Sequence, residues 1–327
     1  MDLGLIDKVF TTKNENFEET VWQVFKFQAT NVVTYKNYLQ YLGVNPSNIR
    51  HLSEIPFLPI SFFKTQDIIA NGHKSQQTFL SSSTTGKGQS QHFAADIGVY
   101  EKSFTKAFHH FYGNPNKYCV LALLPSYLER KGSSLVYMAD SLIKQSHHAD
   151  SGFYLDEWDK LAQVIQKNEA NGQKTLLLGV SFALLDFAAS FPMQLKHTVV
   201  METGGMKGRR KELTRFELHT ALKQGFGVDI VHSEYGMTEL FSQAYAKQEG
   251  RFNCPYWMRV FTRTADDPFS YADYGKTGAL NIIDLANIYS CSFIETEDLG
   301  RTYADGSFEV LGRVDFSEVR GCNTMVV

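Results

Sequence analysis

The chain has 327 residues, 43% of them apolar and 20% charged, with a formal net charge of −3. These values describe a globular protein with a sizeable core, one large or two ordinary domains, and they give no sign of a nucleic-acid-binding surface. The N-terminus carries Asp2, Asp7, Glu15, Glu18 and Glu19 and no apolar stretch, which argues against a signal peptide, and no apolar run is long enough to span a bilayer. Cys119, Cys254, Cys291 and Cys322 form no CxxC pair, so neither a zinc site nor a disulfide framework is expected, and a reduced, cytoplasmic protein is the simplest reading.

Apolar and aromatic residues at Val21, Trp22, Phe25, Tyr35, Tyr38 and Leu42 predict a helix over 18–42, stopped at Gly43. Two prolines make 55–60 an extended crossing segment. Thr78-Phe79-Leu80 then leads into Ser81-Ser82-Ser83-Thr84-Thr85-Gly86-Lys87-Gly88, a poor helix and a poor strand. A helical stripe follows through Ile97, Tyr100, Phe104, Phe108 and Phe111. Buried strands are expected at 118–124, 175–180, 198–201 and 227–231. Helices are expected at 133–146, 157–169, 182–190 (capped by Ser181) and 209–224 (closed by Gly225). Strands alternating with helices over about 75–245 predict a mainly parallel α/β sheet covered on both faces. Short runs at 280–284, 289–295 and 308–311 predict a smaller β-rich segment after residue 250. The domain reading is one large domain over 1–327, made of a lead-in over 1–75, an α/β core over 76–250 and a β-rich segment with its tail over 251–327.

Ligands of open parallel sheets sit outside the carboxyl ends of the strands, and four polar stretches follow strand-like runs. The hydroxyl-rich loop 81–88 offers hydroxyls, backbone N–H groups and one cation to a polyphosphate, in a strand–loop–helix setting. Gly204 and Gly205 allow backbone to approach a flat base. Tyr235 is placed to stack on that base, and Glu239 to bind Mg²⁺. Asp298 is placed to accept from ribose hydroxyls. The Walker and dinucleotide fingerprints are both missing. The pairs His109-His110 and His147-His148 point apart on a helix and make no metal site.

Taken in order, Ser81–Gly86 resembles the phosphate loop of the adenylate-forming superfamily of acyl-CoA synthetases, peptide-synthetase adenylation domains and luciferases. Tyr235-Gly236-Met237-Thr238-Glu239 matches its Tyr-Gly-x-Thr-Glu motif. Gly204-Gly205, Asp298-Leu299-Gly300-Arg301 and Gly312-Arg313-Val314-Asp315 look like its glycine pair, ribose motif and hinge motif. The sequence departs at Ser83, where the superfamily usually has Gly, and at Lys87-Gly88-Gln89. The resemblance implies the superfamily's large N-terminal domain, with mainly parallel sheets flanked by helices and a small distorted β-barrel. It also implies ATP and Mg²⁺, with Ser81 to Gly86, Gly204, Gly205, Tyr235, Gly236, Met237, Thr238, Asp298 and Arg313 around ATP, Glu239 on the metal, and Thr238 and Lys87 assisting.

The sequence ends twelve residues after Asp315, short of the superfamily's usual C-terminal domain. That form looks like the acyl-protein synthetase (LuxE-type) family, whose members carry an acyl-accepting cysteine near the C-terminus, a role that falls on Cys322. The implied activity is ATP-dependent activation of a fatty or other carboxylic acid, then transfer to a protein thiol, with a carrier or reductase as acceptor partner. The rivals are an acyl- or aryl-CoA ligase of the phenylacetate–CoA ligase type and an inert nucleotide- or acyl-binding protein.

Overall fold

The computed structural model describes residues 3–81, 88–125, 132–204, 213–248, 250–264, 267 and 269–313. The chain opens with helices α1 (Leu3–Thr11), α2 (Phe17–Asn31) and α3 (Val33–Tyr41). The single helix expected over 18–42 is therefore two. Val32 interrupts it in an extended conformation (φ −96°, ψ 101°) and bridges to Ala70, while the Asn71 amide donates to the Asn31 carbonyl. Pairing with a distant segment overrides the apolar period, and a β-branched residue suits the break.

The crossing segment forms β1 (Leu58–Pro59), followed by the short helix α4 (Phe62–Thr65). Then β2 (Gln77–Leu80) and β3 (Gln91–Ala94) make a separate antiparallel hairpin. The hydroxyl-rich loop thus joins two strands, and the strand–loop–helix setting expected for it is not formed. Helix α5 (Ile97–Tyr112) starts only after β3, capped by the Asp96 carboxylate on the Gly98 N–H.

The alternating part follows as β4 (Cys119–Leu123), α6 (Ser134–Ser146), β5 (Gly152–Phe153), α7 (Trp158–Ala170), β6 (Thr175–Val180), α8 (Ser181–Ser190), β7 (Thr198–Thr203), α9 (Arg215–Phe226) and β8 (His232–Tyr235). Every residue of β4 and β6 is buried, the mark of strands covered on both faces. Each such Val or Leu contributes about 1.5–3 kcal/mol by leaving water. Two boundaries differ from expectation. Gly225 lies inside α9, where a Cβ would stand 2.7 Å from Ala188 Cβ, so the glycine lets α9 approach α8. The helix is closed by Gly227 at φ +62°. Residues 227–231 are loop, and β8 begins at His232, inside the polar motif itself.

Six further strands run antiparallel: β9 (Ala244–Ala246), β10 (Phe252–Asn253), β11 (Met258–Arg263), β12 (Gly278–Asp284), β13 (Phe293–Thr302) and β14 (Phe308–Arg313). The β-rich segment does not stand apart, since the order β11-β12-β13-β14-β10-β9-β8-β7-β6-β4-β5 is one sheet, with β1 added parallel to β13. Side chains on β8 alternate between its two covers. His232 meets Tyr112 of α5, and Ser233 meets His219 of α9, so α5 and α9 lie on opposite faces. The chain moves from β4 outward to β5 and then back across to β6, which makes the gap beyond the ends of β4 and β6 the topological switch point. Among the described residues, no helix is long and apolar enough to cross a membrane.

Candidate active site

The site lies where the parallel and antiparallel arms meet, at the end of β8. There Tyr235 is buried, its ring in contact with Phe252 (5.7 Å) and Phe308 (5.4 Å). Its hydroxyl donates to Asp298 Oδ2 at 2.7 Å. Asp298 and Arg313 are cross-strand partners on β13 and β14, and Arg313 Nε stands 3.4 Å from Asp298 Oδ1. Three residues from three separated motifs therefore meet in one chain of contacts. Asp298 was expected beyond a strand, but it sits within β13 on the inward side of the pleat. Burial pushes its carboxyl up, against Tyr235 and Arg313. The Arg313 side chain is 79% exposed, so one end of this chain reaches solvent.

After Tyr235 the backbone leaves the sheet. Gly236 is exposed and Met237 and Thr238 are half-buried, whereas Glu239 is buried again. This short outward bow is clamped from behind by groups that sequence reasoning missed. The His92 ring stacks on Phe241, with Nδ1 2.9 Å from the Thr238 carbonyl and Nε2 2.8 Å from Ser290 Oγ. Burial, against the Thr238 contact, pushes His92 down to about 4, so it is neutral at ordinary pH. Asp284 accepts from the Phe241 and Ser242 amides, the Ser242 hydroxyl and the Ala286 amide. Asn287 donates to the Glu239 carbonyl at 2.8 Å, and Gln28 of α2 donates to the Asn287 carbonyl. Their only sequence-level signal is that they are polar residues in or beside apolar runs.

Glu239 is 6% exposed, and burial pushes its carboxyl up against Ser90, Arg313 and Lys64. Among the described residues no salt bridge reaches it, and no three metal-ligating side chains cluster. One buried carboxylate suits a Mg²⁺ ion whose other ligands are phosphate oxygens and water. Lys64 on α4, also unforeseen, brings a cation to this side; its backbone carbonyl would lie 3.9 Å from a Cβ built on Gly88.

Ser81 is engaged in closing the hairpin. Its amide donates to the Ser90 carbonyl and its hydroxyl accepts from the Ser90 amide. Ser82, Ser83, Thr84, Thr85, Gly86 and Lys87 lie outside the described residues, as do Gly205 and Cys322. Gly204 is described, at φ +67°, just past β7. Ser181, expected to cap α8, is instead its first residue; its hydroxyl donates to the Gly204 carbonyl at 2.7 Å. Beside Ser181, at the switch point, a cavity of about 330 Å³ opens between Pro125, Leu155, Trp158 and Phe182, with Asp156 and Asp186 on its wall.

No protein-family model and no curated protein matches the chain. Solved structures do. ATP-bound MatB from Rhodopseudomonas palustris superposes with a TM-score of 0.54 at 16% identity, over 72% of this chain and 47% of MatB. O-succinylbenzoate coenzyme A synthetase (MenE) from Bacillus subtilis, in complex with ATP and a magnesium ion, superposes at 0.51 and 14% identity, over 72% of this chain and 49% of MenE. An open conformation of 2-hydroxyisobutyryl-CoA ligase, in complex with 2-HIB-AMP and CoA, superposes at 0.67 and 11% identity, over 95% of this chain and 78% of the ligase. The chain thus spans about half of MatB and MenE. At these identities the likeness is one of architecture, and the chain has the α/β fold shared by these acyl-CoA ligases.

Proposed function

We propose that this chain activates a carboxylic acid with ATP. The observation that carries the proposal is the convergence of Tyr235, Asp298 and Arg313 beside buried Glu239, on a fold shared with ligases solved with ATP or an acyl-adenylate. A carboxylate oxygen of the acid attacks the α-phosphorus of ATP, the bond to the pyrophosphate oxygen breaks, and an acyl-adenylate remains. Glu239 holds the Mg²⁺ that accompanies ATP, and the ion offsets charge on the phosphates. Asp298 accepts from the ribose hydroxyls, Gly204 and Gly236–Met237 border the base, and the hydroxyls and cation of residues 82–87 bind the phosphates together with Lys64. The cavity beside Phe182 takes the body of the acid.

The second step is transfer of the acyl group to a protein thiol, that of Cys322. Its sulfur attacks the acyl carbon, AMP leaves with the bonding pair, and the thiol proton passes to solvent. A second reading has the thiol of CoA as acceptor; it is favoured by the 2-hydroxyisobutyryl-CoA ligase, which was solved with CoA.

Incubation with ATP, Mg²⁺ and a panel of labelled carboxylic acids tests both steps. ATP-dependent label on denatured protein, removed by hydroxylamine and lost in Cys322→Ser, is the expected result. Pyrophosphate release without label on the chain, and with product only when CoA is added, moves the acceptor to CoA. Absence of pyrophosphate with every acid defeats the adenylation reading.

A further inference from the structure

Two buried carboxylates at the ends of β7 and β8 are treated differently by the fold. Glu202 is 5% exposed and Glu234 is 7% exposed. Strand pairing sets Glu202 opposite Ser233 and Thr203 opposite Glu234, which sends the two carboxylates to opposite faces of the sheet. Glu202 faces α9, where Arg215 and His219 stand 3.8 Å and 3.5 Å from its Oε1. Burial alone would push Glu202 up, but His219, Arg215 and Ser233 hold it below the usual carboxylate range.

Glu234 faces α5, where His232, its neighbour on the same face, is pushed down to about 4 by burial and Lys247 lies over the Tyr112 ring without pairing with Glu234. The Thr203 hydroxyl of β7 donates to its Oε2, Tyr245 is its cross-strand partner on β9, and Tyr100 and Tyr112 of α5 lie close enough to feel its charge. The charged group acting on it is Glu202 of β7, which has the same sign. Among the described residues, no salt bridge reaches Glu234 and its hydrogen-bond partner is Thr203. Burying an unpaired carboxylate is expensive, whereas the neutral acid is tolerated. Burial, with Glu202 adding to it and Thr203 opposing, pushes Glu234 up to about 7.

The position of this carboxyl group is as unusual as its surroundings. A Cβ built on Gly236 would stand 2.6 Å from Glu234 Oε1, so the carboxyl group fills the space against the Gly236 turn. Its other oxygen is held by Thr203, the residue before Gly204. One carboxyl group therefore joins the Thr203 side chain, at the root of one arm assigned above to the nucleotide base, to the Gly236 turn of the other. Glycine at 236 leaves that space to the carboxyl group, which a side chain there would have to push aside.

We propose that Glu234 is a positioning residue for the nucleotide site, its carboxyl group acting as the strut that sets the spacing between the Thr203–Gly204 and Gly236–Met237 arms. The inference rests on the reading of that crevice as the ATP site. The strut acts in its protonated form. Ionisation places an unpaired negative charge near the already paired Glu202 carboxylate and near the polyanionic ligand, and loosens both arms.

The test is calorimetric binding of ATP with Mg²⁺ to the wild type, Glu234→Gln and Glu234→Ala, with a melting curve for each. The Gln variant keeps the shape without the titration. At about pH 6, Gln is expected to match the wild type within about twofold, whereas Ala binds about tenfold more weakly, as for a buried hydrogen-bonding group removed. Between about pH 6 and 8.5 the wild type should lose at least about threefold more affinity than Gln, since the titration of ATP itself is common to both. If Ala does not fold, Thr203→Val reads the same contact, with about a fivefold loss expected at pH 6. Equal pH slopes in wild type and Gln, or wild-type affinity in Ala or in Thr203→Val, overturn the strut. A wild type that binds no ATP at any pH overturns the ATP reading, and the strut with it.

Discussion

The two arms of the sheet solve burial by different means. In the parallel arm, β4 and β6 are buried along their whole length and apolar at nearly every position, with helices on both faces. Polar residues there gather at the strand ends, as Ser181, Glu202 and Glu234 do. In the antiparallel arm, polar side chains are buried within the strands. Arg263 lies on β11 with Nε on Asn281 Oδ1 (3.1 Å), Nη2 on the Thr296 carbonyl (2.9 Å) and Glu295 at 3.0 Å. Asp284 and Asn281 lie on β12, and Asp298 on β13. A buried polar group is stable only with its partners in place. The parallel arm therefore acts as an apolar platform, and the antiparallel arm carries a partnered polar lattice that holds the outward bow at 236–238. The difference teaches that stability and site geometry are separable along the strand interiors of the first arm, where only the strand ends reach the site, and coupled within the strands of the second.

The largest effect that tests this contrast is at Asp298. Its removal in Asp298→Ala should lower acid-dependent ATP–pyrophosphate exchange by about tenfold to a hundredfold, the scale of losing a hydrogen bond from the ribose to a charged group. Exchange at the wild-type rate would break the assignment of the antiparallel arm to the site. Next comes a matched pair. Leu178→Ala in β6 leaves a cavity in the platform, and Asp284→Ala strips four hydrogen-bond donors of their acceptor. Each should cost about 3 kcal/mol in urea unfolding. Only the Asp284 variant should also slow exchange in the fraction that stays folded. Equal slowing in both would erase the distinction between the arms.

The smallest effect is a pH slope. The folded protein holds His92 down near 4, against an ordinary value of 6.5, so between these limits the unfolded chain binds a proton that the folded chain refuses. Stability linked to His92 is thus fully present above about pH 6.5 and falls as pH drops toward 4, by about 2 kcal/mol at pH 5. His92→Phe keeps the ring against Phe241 and should flatten that slope, as read by urea titrations at the two pH values. A slope unchanged in the variant would show that the clamp on Thr238 does not depend on a neutral imidazole.

Much of the parallel arm was legible in the chain alone. Residues 175–180 form β6 over the span expected from their apolar run, and α5 carries the predicted stripe, because burial on two faces and a 3.6-residue period leave strong local marks. Boundaries set by distant partners were not legible. Val32 breaks a helix to bridge Ala70, and Gly225 serves a helix contact that no local pattern announces. The motif residues Tyr235, Glu239, Asp298 and Arg313 could be picked out by type and order.

Their working relations could not, because a hydrogen bond from Tyr235 to Asp298 depends on which strands pair and in what register. His92, Asp284 and Asn287 stayed hidden for the same reason, since a polar residue in an apolar run looks alike whether it is a defect or an anchor. What the sequence by itself determined about this protein is the α/β alternation and the identity of the polar residues at the strand ends. The tertiary structure alone decided which of those residues touch, which carboxylates keep a charge, and which buried groups clamp the backbone between them. Local periodicity records burial, whereas partnership between polar groups exists only once strands far apart in the chain have been brought side by side.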